Sequence, residues 1–103
     1  GDDGTVFWPR IPRVGVLLMV GVDTPRAPPT WPQRRFPFDV RRMAPEDRWE
    51  GQPSPRLQLR GQNGSVGRHR VWVMAIFGNR HPTAAELAAA QAELGRVRLP
   101  VTR

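Results

Sequence analysis

Twelve prolines divide this 103-residue chain, and their positions decide which stretches can be regular secondary structure. Proline has no N–H to give to a helix interior or a central strand, and its ring fixes φ near −65°. Asp23 to Gln33 carries four prolines and Met43 to Pro55 carries three, so both stretches read as long loops. Leu, Ile, Val and Phe supply 24 residues, just above the share below which burial no longer offsets chain entropy, so the intervening segments can still build one modest core.

Those segments have distinct patterns. Arg13 to Val22 (RVGVLLMVGV) is apolar at odd and even positions alike, the signature of a strand covered on both faces, and is expected at the centre of a sheet. Arg34 to Arg42 (RRFPFDVRR) alternates, with Phe36, Phe38 and Val40 on one side, and Pro37 means that this strand belongs at an edge or has a short break. Arg56 to Arg60 (RLQLR) alternates with Leu57 and Leu59 inward, Asn63-Gly64 signals a hairpin turn, and Arg70 to Phe77 (RVWVMAIF) reads as a second central strand. Thr83 followed by Glu86 is a capping box, and the alanine-rich helix it opens places Leu87, Ala90, Leu94 and Val97 on one face before closing between Gly95 and Pro100.

The expected architecture is therefore α+β: an antiparallel sheet of about four strands with one C-terminal helix packed on one face. Residues 1–12, acidic, then aromatic and broken by proline (Phe7, Trp8, Pro9, Pro12), read as an extended arm, and residues 13–103 as a single α+β domain. Leu17, Met19, Trp72, Met74 and Ile76 cannot all share the helix-facing side. The second face therefore needs a cover: the arm, the loops bearing Trp31 and Trp49, or a second copy of the chain.

Chemistry is sparse. There is no Cys and no Tyr, and His69 and His81 stand in no triad order or metal-ligand spacing, so no catalytic residue, cofactor or metal is expected. Gly61, Gly64 and Gly67 are followed by a strand, where a glycine-rich phosphate cradle would need a helix. The longest apolar run, Val14 to Val22, has 9 residues where a membrane helix needs about 20.

Charge is the remaining signal. All 16 cations are arginine against 9 carboxylates, a net charge of +7, and no acid occurs from Gly51 to Ala85. A GC-rich genome writes arginine freely, but guanidinium also suits phosphate and carboxylate recognition. Arg35, Arg41, Arg56, Arg60, Arg68 and Arg70 are the candidate anion- or partner-binding set, either as one patch that Trp31 or Trp49 could supplement by stacking, or as an ordinary solvated face.

The order of features also resembles a known group. An apolar strand (Val14 to Val22), a Phe-Pro segment flanked by arginine (Arg34-Arg35-Phe36-Pro37-Phe38) and Gly67-Arg68 leading into a strand that ends Phe77-Gly78 come first. A Pro82-Thr83 helix start and a Leu94 to Leu99 close follow. Together they resemble small domains of unknown function from high-GC actinobacteria, often placed behind a signal peptide or one membrane helix. The resemblance implies an extracytoplasmic location and brings no activity, cofactor or site residue. The start at Gly1, without Met, reads in the same sense as a processed or excised segment.

The expected function is thus a non-enzymatic binding or interaction domain of a bacterial cell-envelope protein. Its partner would be another protein or an anionic envelope polymer, with a homodimer also open. The alternatives are a basic nucleic-acid-binding module and, last, a small hydrolase using His69 or His81.

Overall fold

The structure is a computed structural model that describes residues 15–46, 49–52 and 54–99, and the arm expected at residues 1–12 lies outside them. Four strands, β1 (Val16–Asp23), β2 (Ala44–Glu46), β3 (Gln58–Val66) and β4 (His69–Phe77), form one antiparallel sheet in the order β1-β4-β3-β2. A single helix, α1 (Ala84–Gly95), follows, so the α+β arrangement expected from the sequence is the one observed.

Strand alternation sorts the core. Val16, Leu18, Val20 and Val22 of β1 and Val71, Val73, Ala75 and Phe77 of β4 share one face, and the four from β4 are fully buried. Against them α1 sets Ala90 and Leu94, both fully buried, with Leu87 and Val97 at the margin. The capping box forms as the sequence predicts. Thr83 Oγ1 accepts from the Glu86 N–H at 3.1 Å, and Glu86 Oε1 accepts from the Thr83 N–H at 3.3 Å. Replacing Thr83 by Ala removes one of these bonds and should lower stability by about 1 kcal/mol, with Gly costing less. Urea unfolding of the three proteins measures the difference, and three equal midpoints would mean that the cap contributes nothing.

The hairpin turn is not at Asn63-Gly64. Both residues continue β3, opposite Trp72 and Val71, and the chain reverses at Gly67-Arg68, where Val66 pairs with His69. Gly67 has φ 63°, which fits glycine as the first of two turn residues. A turn at 63–64 would place Pro55 and Pro53 opposite Trp72 and Met74, whereas the observed register pairs β4 with the proline-free run Gln58–Val66.

Arg34 to Arg42 is not a strand either. The Phe36–Pro37 peptide is cis, and Val40–Arg42 forms a 3₁₀ turn capped by Asp39, whose Oδ1 accepts from the Arg41 N–H at 3.0 Å. Phe38 and Val40 still point inward and are buried, with Phe36 packed beside them, because the bent segment closes the core next to α1. Gln91 of α1 holds it there: its Oε1 accepts from the Val40 N–H at 2.7 Å and its Nε2 donates to the Phe38 carbonyl at 3.0 Å. The short β2 lies within the expected second loop and takes the edge beside β3.

The second face is covered from its two ends. At one end Trp49, Leu17 and Leu59 pack against buried Leu57 and Ile76. At the other, Trp31 stands edge-on to Trp72, with ring centroids 6.4 Å apart and planes at 85°. The Trp72 indole lies over Gly21, where a Cβ would sit 1.8 to 2.2 Å from three ring atoms, so no other residue fits beneath it as it lies. Met19, Met74 and Trp72 remain half-exposed between the two covers.

β1 was expected at the centre and lies at the edge. It is bonded only to β4 among the described residues, and each of its eight residues is half-buried.

A candidate anion-binding cleft

Three of the six arginines singled out in the sequence serve the fold. Arg56 donates to the Gly78 carbonyl at 2.6 Å, and Arg60 donates to Gln58 Oε1 at 2.8 Å and reaches the Val40 carbonyl at 3.5 Å. Arg70 pairs with Asp23 and lies over the Trp31 ring, 5.6 Å from its centroid. Arg60 and Arg70 also stand on opposite faces of the sheet, since Arg60 pairs across from Ala75 while Arg70 is one register step away from core-facing Val71. A single patch of all six does not form. Arg68 is exposed in the hairpin turn, and Arg35 and Arg41 are exposed on either side of the Phe36–Val40 bend.

That bend assembles a different group. Arg34, Arg35 and Arg42 border one cleft of about 340 Å³, which Gln33, Pro37, Phe38, Asp39 and Gln62 also line. Arg34 is fixed from several sides. Its backbone N–H donates to the Ser65 carbonyl at 2.8 Å, its Nε donates to the Asn63 carbonyl at 3.0 Å, and its stem lies on buried Gly64. A Cβ at Gly64 would be 2.5 Å from Arg34 Cδ, so the glycine permits this close crossing. Gln33 is tied by its Nε2 to the Gly67 carbonyl at 3.0 Å. Arg42 is the looser member, 86% exposed and 3.7 Å from Asp39 Oδ2.

Three arginines against one aspartate give the residues lining the cleft a formal charge of +2. Guanidinium forks can take the oxygens of a phosphate, sulfate or carboxylate. Arg34 and Arg42 escaped the sequence reading because a strand sends neighbouring residues to opposite faces, so only one arginine of each Arg-Arg pair counted as part of the polar side. The doublets Arg34-Arg35 and Arg41-Arg42 on either side of a Phe-Pro-Phe bend were the available signal.

The other sequence candidates fall elsewhere. His69 is buried, with Nδ1 2.7 Å from Thr24 Oγ1, which ties the loop after β1 to the hairpin. The His81 N–H donates to Asn79 Oδ1 at 3.1 Å in the turn before α1. Among the described residues no three His, Cys, Asp or Glu side chains gather where a metal ion could be held, and no helix is long and apolar enough to cross a membrane. Compared with known protein families, curated proteins and solved structures, the chain shows no match.

Proposed function

We propose that this domain is a non-enzymatic binding module that holds an anionic group of its partner in the Arg34–Arg35–Arg42 cleft. The observation that carries the reading is the convergence of three arginines on one cleft: Arg34 and Arg35, adjacent in the chain, the first of them anchored to β3, and Arg42. The cleft's size suits one charged group and its immediate neighbours, so repeated anionic groups on a flexible polymer would be engaged one at a time. An extracytoplasmic setting, in a bacterial cell-envelope protein, belongs to the same proposal and rests on the sequence resemblance.

A poly(glycerol phosphate) polymer, poly-glutamate, single-stranded DNA and duplex DNA, titrated at two salt concentrations, test it. The phosphate polymer should bind at physiological ionic strength, and Arg35→Gln/Arg42→Gln should weaken that binding at least tenfold. About three contacts would give a slope of log K against log salt near −2.7 if duplex DNA used the same cleft, and six would roughly double it. A double variant that binds like the parent would overturn the cleft. Preferential, tight binding of nucleic acid would replace this reading with a nucleic-acid-binding module, which the net charge of +7 supports without naming a site.

A further inference from the structure

The two edges of the sheet are built differently. On the β3 side, outward backbone groups are occupied or blunted: β2 pairs over Leu59 to Gly61, Arg34 Nε takes the Asn63 carbonyl, and Ser65 bonds to Pro32 and Arg34. Pro45 sits in β2 opposite Arg60, so its missing N–H lies along the outer edge. On the other side β1 (VLLMVGVD) has no proline and no arginine, in a chain that holds 12 of one and 16 of the other. Natural edge strands are protected by charge, proline, bulges or a cover. Among the described residues β1 has none of these along its eight positions except the terminal Asp23, which already pairs with Arg70.

The free groups can be identified. The Gly78 N–H donates to the Gly15 carbonyl, and Gly15 stands opposite Gly78 in the β1–β4 register. In an antiparallel ladder the bonded positions alternate, so Leu17, Met19 and Gly21 bond to β4 while Val16, Leu18, Val20 and Val22 turn their N–H and C=O groups outward.

We infer that β1 is the strand along which two copies of this chain join, antiparallel about a two-fold axis at Met19, into one continuous eight-stranded sheet. This register places Val16 opposite Val22 and Leu18 opposite Val20 of the second copy, so the outward groups meet in four pairs of two hydrogen bonds, about eight in all. Registers centred on Leu18 or Val20 pair fewer of the residues from Gly15 to Asp23. Side chains match as well. Valine and leucine meet on the helix-facing side, Leu17 lies opposite Gly21 beneath Trp72 on the other side, and no charged residue faces another.

The interface is small. The paired strip is about 30 Å long and about 10 Å thick, or roughly 300 Å² per copy, well under the roughly 800 Å² per partner of a standard specific interface. Its hydrogen bonds nevertheless reach the roughly ten of such an interface. So small an interface makes the dimer weak and reversible, and the second copy, which meets this strand about its own two-fold axis with every outward group paired, is the partner inferred. The anion cleft borders the opposite edge of the sheet at Gln62, so the dimer would present two open clefts to one polymer.

Sedimentation equilibrium of the full chain from about 5 to 500 µM, a span wide enough to reveal a weak dimer, is the test. Met19 meets its own copy at the two-fold axis, with Cα atoms about 4.5 Å apart. Met19→Glu and Met19→Lys should therefore each raise the dissociation constant at least tenfold through like-charge contact, and an equimolar mixture of the two should restore dimerisation. Hydrogen exchange gives a second readout on the unaltered chain. Amide protection at Val16, Leu18, Val20 and Val22 should rise with concentration, while that at Leu17, Met19 and Gly21 should not. A parent that stays monomeric throughout, variants that dimerise like the parent, or protection of the even-numbered amides that is independent of concentration would each overturn the inference. The last result would mean that the edge is filled within a single chain.

Discussion

Val73→Asp should abolish cooperative unfolding. Val73 is fully buried in β4, flanked by Val20 of β1 and Gln62 of β3, and its side chain faces the core beneath α1. A carboxylate there would sit among valine, leucine, alanine and phenylalanine, and the β3 arginine on that face, Arg60, is already bonded to Gln58 and directed to the Val40 carbonyl. Leaving a charge unpaired in such a place costs several kcal/mol, a large part of the roughly 5 to 15 kcal/mol that hold a domain together. Val73→Ala, which only removes methyl groups, should cost about 2 kcal/mol and keep a cooperative transition. Urea unfolding followed by tryptophan fluorescence separates the two outcomes. An Asp variant that unfolds at the parent's midpoint would remove Val73 from the core.

Gln91→Ala should destabilise the domain by about 2 to 4 kcal/mol, far more than a half-buried helix glutamine ordinarily would. One side chain serves both the Val40 N–H and the Phe38 carbonyl, on residues that are buried, and each group left without a partner costs about 1 to 3 kcal/mol. Gln91→Glu keeps an acceptor for Val40 but sets a carboxylate oxygen against the Phe38 carbonyl, so its loss should be comparable. Because the same segment carries Arg35, Pro37, Asp39 and Arg42, the Ala variant should also weaken phosphate-polymer binding under conditions where it remains folded. Binding unchanged beside a large loss of stability would separate the cleft from this anchor. A loss of stability below about 0.5 kcal/mol, the usual range for surface substitutions, would show that the two bonds are dispensable.

Local signals in the sequence located what local physics decides. The capping box at Thr83 and Glu86 needs only four consecutive residues, and the spacing of Leu87, Ala90 and Leu94 needs only the helical period, so both could be read without a partner. Phe38 and Val40 were recognisable as inward-facing even though the backbone carrying them is bent, because apolar side chains seek the core whatever conformation delivers them. The cleft was legible only in part. Arg35 belonged to the expected set, but Arg34 and Arg42 depend on a fold-back beside β3 that no strand pattern contains.

The sequence by itself determined the fold class, the helix and its cap, and the apolar character of β4. Tertiary structure decided the rest. An apolar run such as Val16 to Val22 reads the same whether it is flanked by strands on both sides or on one, so only the pairing of β1 with β4 shows it to be an edge. Asn63-Gly64 and Gly67-Arg68 are both competent turns, and the choice between them depends on which distant segment can offer N–H groups to β4: Gln58–Val66 can, whereas Pro53 and Pro55 cannot. Strand order and register are set by hydrogen bonds between residues far apart in the chain, and the three cleft arginines meet only after those bonds have fixed where Arg34 crosses Gly64.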